Sequence, residues 1–219
     1  MNFDFYNYFF SSFSHLLILA LIGVVLIQLI YYWTIFCRLA FKKIKPLQEV
    51  SHPVSVIVCA RNEYQNLKDF LPRILEQDYP QFEVLLINDD SDDETDFLIS
   101  DLTTAYPHFR AININRAVSF IKGKKFALSV GIKEAKYNHV LFTDADCKPM
   151  SSQWIQSMQQ GFFKDKQIVL GYGRYEKRKG LLNHLVRFDT VNTAMQYLSY
   201  ALAGHPYMGV GRNLSYTKS

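Results

Sequence analysis

The chain has 219 residues, 49% hydrophobic, 15% aromatic and 20% charged, enough for one core-bearing domain plus an appendage. Its formal net charge of +4 is too small to point to a nucleic-acid partner, and much of the excess sits in residues 38–45 and 174–179. Cys37, Cys59 and Cys147 cannot pair completely and lack metal-ligand spacing, so they read as reduced thiols of a cytosolic setting.

Residues 1–14 are aromatic and polar, with Asp4 and no Lys or Arg. Residues 16–36 are almost continuously apolar, interrupted by Gly23, Gln28 and Thr34. About 20 residues rising ~1.5 Å each cross the ~30 Å hydrocarbon layer of a bilayer. Tyr31, Tyr32 and Trp33 suit an interfacial belt, and Arg38, Lys42, Lys43 and Lys45 follow at once. The positive-inside rule then sets that end in the cytoplasm and the N-terminus outside. A missing basic n-region and the length of the run argue against a cleaved signal peptide. The expected division is an extracytoplasmic N-terminus (1–14), a transmembrane helix (15–37) in the plasma (inner) membrane, a basic juxtamembrane linker (38–52) and a cytoplasmic α/β domain (53–219).

Pro46 and Pro53 bracket the linker. From Val54 the pattern alternates. Residues 54–59 form a β-branched run of buried-strand type, and 66–76 carry Leu67, Phe70, Leu71, Ile74 and Leu75 at helical spacing, with Pro72 expected to kink or restart that helix. Strands are predicted at 82–87, 111–114, from Val140 and at 168–172, and helices from the 122–125 basic loop to Ala135 and at 154–163. Ser91 and Glu94 have capping-box spacing for a helix reaching Ala105. Residues 181–203 read as a long helix or helix pair, and 204–211 as a glycine-punctuated loop. The apolar stripe of 181–203 reads as core or as an interfacial helix, and the basic run 174–179 as a solvated face or a contact for anionic lipid.

Strands alternating with helices imply a mostly parallel sheet, whose ligands bind outside the carboxyl ends of the strands. There the first strand delivers Arg61, Asn62 and Glu63, the second Asp89 and Asp90, and the one from Val140 delivers Asp144, Ala145 and Asp146. Alternate residues of an extended chain share a side, so Asp144 and Asp146 are expected to present their oxygens together. Two carboxylates this close call for a cation, and oxygen-only ligation favours Mg²⁺ or Mn²⁺. Neither the Gly-x-Gly-x-x-Gly turn of a dinucleotide fold nor a P-loop is present.

Residues 54–63 (VSVIVCARNE), 87–95 (INDDSDDET), Lys124 with Ala127 and Leu128, and 143–146 (TDAD) together resemble the ordered motifs of family-2 glycosyltransferases of the GT-A fold, from about Pro53 onward. The resemblance implies a turn from Ala60 through Arg61 and Asn62 lining a nucleoside pocket, with Glu63 near ribose or base. It implies that Asp89 accepts from a uracil N–H, Lys124 faces the nucleotide-sugar, Asp144 and Ala145 meet the donor, and Asp144 and Asp146 hold the metal. Residues 209–213 resemble the segment beneath the donor sugar. Asn88 replaces a frequent aspartate, and Asp90 stands where glycine is common.

The activity so implied is metal-dependent, inverting transfer from a nucleoside-diphosphate sugar, with UDP expected, to a glycan or lipid-linked acceptor, with membrane lipid as a further partner. The family's general base lies some tens of residues beyond the glycine segment, so it is expected beyond Ser219 and the chain reads as C-terminally incomplete. A nucleotide-sugar-binding subunit without catalysis and a sugar nucleotidyltransferase are the alternatives.

Overall fold

The structure is a computed structural model and describes residues 3–43, 46, 52–115, 123–163 and 166–218, with side chains from Phe13 onward. In chain order the elements are α1 (Phe3–Tyr31), a π-helical turn (Tyr32–Phe36), α2 (Cys37–Ala40), β1 (Val54–Ala60), α3 (Tyr64–Leu75), β2 (Phe82–Asp89), α4 (Thr95–Ala105), β3 (Phe109–Ile114), α5 (Lys124–Glu134), β4 (His139–Asp144), α6 (Trp154–Gln159), β5 (Ile168–Leu170), α7 (Leu181–Leu202) and β6 (Leu214–Thr217). Residues 44, 45 and 47–51 of the expected linker, and Lys122 of the basic loop, lie outside the described residues. The chain divides into two compact units.

The unit Lys45–Gly173 with Gly209–Ser219 is built on one six-stranded sheet of order β3-β2-β1-β4-β6-β5. The first four strands are parallel, whereas β6 runs antiparallel to both β4 and β5. Central parallel strands are covered on both faces, which is why β1 and β2 read as continuous apolar runs rather than alternating ones. On one face Val54, Val56, Val58, Val84 and Leu86 pack with Leu67, Leu71, Ile74 and Leu75 of α3. On the other, Ile57, Leu85, Ile87, Val140 and Phe142 pack with Ala127 of α5. A Cβ at Gly131 would come within 2.7 Å of the Ile57 side chain, so glycine there lets α5 settle close to β1 and β2.

Several local expectations are corrected. Pro72 does not restart α3: it sits in the last turn of one continuous helix, Tyr64–Leu75. Ser91 does not cap α4: Glu94 is at the N-cap position without a side-chain cap bond, and Asp93 before it accepts from the Thr95 N–H (3.2 Å) and Thr95 hydroxyl (2.5 Å). The helix at 154–163 and the strand at 168–172 are shorter than expected, and 181–203 is a single helix. Strand β6 went unpredicted.

The second unit comprises Met1–Ile44 and Arg174–Met208. Helix α1 starts at Phe3, so much of the aromatic N-terminal stretch is helical. The segment Phe13–Ala40 is 28 residues long, its most apolar 18-residue stretch has mean hydropathy 2.5, and no part of that stretch is buried. At Tyr32–Phe36 the helix widens, and the Cys37 N–H donates to the Tyr32 carbonyl five residues back. The Thr34 hydroxyl donates to the Ile30 carbonyl (2.8 Å), and Arg38 Nε donates to the Thr34 carbonyl (2.7 Å). Helix α7 packs along the wide turn and α2, and the hydroxyls of Tyr31 and Tyr200 meet at 2.6 Å.

Candidate active site

Parallel pairing puts the carboxyl ends of β2, β1 and β4 side by side. Ala60 pairs with Asn88, and Cys59 pairs with both Ile87 and Asp144. Around these ends lies a cleft of about 300 Å³ lined by Ala60, Arg61, Glu63, Asp89, Lys124, Asp144, Ala145 and Asp146, together with Cys59 and Ala127. Every residue assigned to donor or metal binding from the sequence therefore lines one cleft, apart from Asn62.

Asn62 stands outside that lining and braces the turn. Its φ of +55° lies in the left-handed region that asparagine tolerates better than most residues. Its N–H donates to Ser91 Oγ (2.9 Å), and its Oδ1 accepts from the Asp92 N–H (2.8 Å). Two residues on, the Tyr64 N–H donates to Asp93 Oδ2 (2.9 Å). The turn after β1 is thus bolted to the turn after β2. Asp90 has φ +58°, the backbone conformation glycine adopts freely, which accounts physically for an aspartate at a position where glycine is common.

Glu63 occupies the N-cap position of α3 without a side-chain cap bond, and its Oε2 accepts from Asn66 Nδ2 at 2.6 Å. Its carboxylate is held by the helix it precedes and borders the cleft. Asp89 is buried at the end of β2. Beside it, Asn88 Nδ2 donates to Asp96 Oδ1 (3.0 Å), as does Asn113 Nδ2 (3.3 Å), which ties the ends of β2 and β3 to the first turn of α4.

The two aspartates of 144–146 meet by a route the sequence reading did not foresee. Strand β4 ends at Asp144, and Ala145 and Asp146 form a turn closed by the Cys147 N–H donating to the Asp144 carbonyl (3.0 Å). The chain's reversal, not the pleat, sets the spacing of the carboxylates. Lys124, the first residue of α5 after Gly123 (φ +106°), brings Nζ to 2.5 Å from Asp144 Oδ1.

Asp144, Asp146 and Cys147 each place a ligand-type atom within 4.8 Å of the others. Burial, with the charges of Asp146 and Asp144 adding to it, pushes the Cys147 thiol up to about 12, so it stays protonated near neutral pH. Its Sγ donates weakly to Asp146 Oδ1 at 3.5 Å. The two carboxylates are a hard oxygen pair that fits Mg²⁺ or Mn²⁺, whereas a thiol suits softer metals. Cys59, also pushed to about 12 chiefly by burial, is an inert wall. Period-two alternation could have found it, because Cys59 shares the face of β1 that carries Ile57 toward α5.

The glycine segment is anchored by Asn213. Its Oδ1 accepts from Trp154 Nε1 (3.0 Å), its Nδ2 donates to the Tyr172 carbonyl (3.3 Å), and its carbonyl accepts from the Gly171 N–H (2.9 Å).

An open α/β sheet with acidic side chains gathered at the carboxyl ends of its central strands is the GT-A architecture. Residues 55–211 match the model of Glycosyl transferase family 2, and the chain belongs to that family. A poly-β-1,6-N-acetyl-D-glucosamine synthase of Staphylococcus epidermidis is 35% identical over 94 residues, covering 42% of this chain and 21% of that protein. Glycosyltransferase AglE of Haloferax volcanii is 30% identical over 105 residues, 47% of this chain and 33% of that protein. The chain thus spans a third or less of the length of these relatives. Among solved structures, mannosyltransferase PcManGT from Pyrobaculum calidifontis, in complex with GDP-Man and Mn²⁺, superposes with a TM-score of 0.63 at 21% identity, covering 87% of this chain and 52% of that one. The likeness establishes the shared fold.

Proposed function

We propose that the chain binds the donor in a membrane-anchored, metal-dependent, inverting glycosyltransferase that moves a sugar from a nucleoside diphosphate, UDP, to a glycan or lipid-linked acceptor. The observation that carries this reading is the convergence of Glu63, Asp89, Lys124, Asp144 and Asp146, from four separate elements, on one cleft. The name of the staphylococcal relatives, synthases of a polysaccharide, favours a glycan product.

In this reading Asp144 and Asp146 hold Mg²⁺ or Mn²⁺, which when bound supplies Lewis-acid neutralisation of the departing diphosphate. Lys124 lends a second positive charge to the same phosphates. Asp89 accepts from the base N–H, Glu63 meets ribose or base from its perch on Asn66, and Arg61 and Ala60 form the floor of the nucleoside pocket. Ala145 lets the backbone of the turn approach the donor. The segment Phe13–Ala40, with Arg38, Lys42 and Lys43 at its end, supports an anchor in the plasma membrane with the transferase unit on the cytoplasmic side.

The test is calorimetric titration of UDP with and without Mn²⁺ into the full-length protein in nanodiscs, followed by transfer assays on Asp146→Asn. The variant is expected to lose Mn²⁺-dependent UDP binding and to slow transfer by about 10²–10³-fold. Metal-dependent transfer surviving in Asp146→Asn would overturn the assignment.

A further inference from the structure

Helix α7 is apolar on two sides, and only one of them is covered. Ala194 and Tyr197 are buried, and the helix packs against the wide turn and α2. The opposite face carries Leu181, Leu185, Phe188, Val191 and Met195, three or four residues apart, with exposures from 42% to 76%. A bare apolar stripe about four turns long is costly in water and marks a surface that meets something apolar.

The neighbouring charge indicates what that is. The seven residues before α7 hold Arg174, Lys177, Arg178 and Lys179, and Arg187 follows in the second turn, against Glu176 and Asp189. This arm is not a loose tail. Asn183 in the first turn of α7 accepts from the Arg178 N–H (2.8 Å) and donates to the Glu176 carbonyl (3.1 Å), so arm and helix form one piece.

The level of the stripe is set by the partner helix. Within this unit α7 rests on Tyr32–Phe36 and Cys37–Ala40, the end of the apolar segment, where Arg38, Lys42 and Lys43 emerge. That is the depth at which a spanning helix leaves the hydrocarbon for the headgroups. A helix held there with an apolar face and a basic flank has the composition of an interfacial helix.

We infer that the outer face of α7 lies in the boundary layer of the same bilayer that α1 crosses, with Arg174, Lys177, Arg178, Lys179 and Arg187 on anionic lipid headgroups. This rests on the anchor reading of α1 and adds a second, peripheral attachment to it. Its occupant is the lipid surface.

Tryptophan quenching in nanodiscs made with brominated-chain lipids tests both attachments separately. Trp33 (read in a Trp154→Phe background) reports on the anchor, and Phe188→Trp (read with Trp33→Phe and Trp154→Phe) reports on α7. The expected result is that both are quenched by bromolipid and shielded from aqueous acrylamide, and that only the α7 signal weakens when anionic lipid is replaced by zwitterionic lipid. A quenched Trp33 beside a Phe188→Trp indole open to acrylamide would overturn the docking and leave the anchor standing. An α7 indole shielded from both quenchers would overturn it too, because protein, such as a second copy of this chain, would then cover the stripe. An unquenched Trp33 would overturn the anchor reading and the docking with it. Leu185→Trp, one turn away, gives the same reading if the first variant accumulates poorly.

Discussion

The ammonium of Lys124 and a carboxylate oxygen of Asp144 lie 2.5 Å apart across the mouth of the cleft. The lysine thus occupies one of the two oxygens that a cation at Asp144 would use. Both groups are partly exposed, so the contact is exchangeable rather than structural. Lys124→Met is expected to tighten Mn²⁺ binding to the nucleotide-free protein, because a competing charge is gone. The same change is expected to weaken UDP binding about tenfold, the scale of one charge-assisted hydrogen bond to phosphate. Titration of Mn²⁺ followed by titration of UDP checks both signs; a variant unchanged in both would mean that the pair has no bearing on the donor.

Asp90 takes φ +58° in the turn that follows β2. A residue with a Cβ and no polar side chain to bond locally is poorly suited to that region. Asp90→Ala is expected to lower stability by about 1 kcal/mol, whereas Asp90→Gly stays within about 0.5 kcal/mol of the parent. Urea denaturation of the two variants distinguishes this account from one in which the Asp90 carboxylate itself is needed, for then both would fall together.

At the opposite end of the sheet Glu83 is almost wholly buried. Its Oε1 accepts from the Ser55 hydroxyl and the Lys136 N–H, each at 2.6 Å, and its Oε2 accepts from Arg110 Nε at 2.9 Å. Arg110 also donates to the Glu134 carbonyl. Burial raises the carboxyl's pKa, but the bonds from Arg110, Ser55 and Lys136 outweigh it and hold the group below its usual value. The stabilisation is therefore complete above the unfolded value of about 4.3 and is lost as pH falls through the folded one. Glu83→Ala is expected to cost about 3 kcal/mol and leave UDP affinity unchanged. Coincident loss of affinity in the folded variant would contradict the separation of this network from the cleft.

His139 stacks on His52 with ring centroids 4.8 Å apart and lies edge-on to Phe162 at 4.5 Å. Burial lowers its pKa most, the bond with Gln159 (3.0 Å) opposes this, and the charge of His52 lowers it further. A depressed folded value means that the folded chain binds fewer protons, so this contribution is full above pH ~6.5 and declines as pH drops through the folded value. His139→Gln should flatten the dependence of stability on pH between about 5 and 7, a window distinct from that of Glu83. Thermal melts across this range provide the check.

Much of the sheet was legible because β1, β2 and β4 are buried on both sides and so read as unbroken apolar runs. Strand β6 was not. Its four residues, Leu214 to Thr217, are half polar and follow a glycine-rich stretch, and its antiparallel place between β4 and β5 follows from long-range pairing that no local pattern encodes. At the cleft, the acidic residues could be placed at a common edge from topology alone. The bracing of Asn62 by Ser91 and Asp92 could not, since it joins residues 29 and 30 positions apart through backbone conformations that are unusual for both turns. The Asp144–Asp146 spacing was anticipated for the wrong reason, because a closing turn and an extended strand both bring second neighbours together.

The wide turn at Tyr32–Phe36 shifts the phase of everything after it. At about 100° of rotation per residue, one extra position swings the following side chains by more than a quarter of a circle. Removing a single residue there would restore regular pitch, turn Arg38 away from the Thr34 carbonyl it now satisfies, and redirect the side of the rod that meets α7. The direction in which the side chains after Phe36 point is therefore set by the register of this one wide turn.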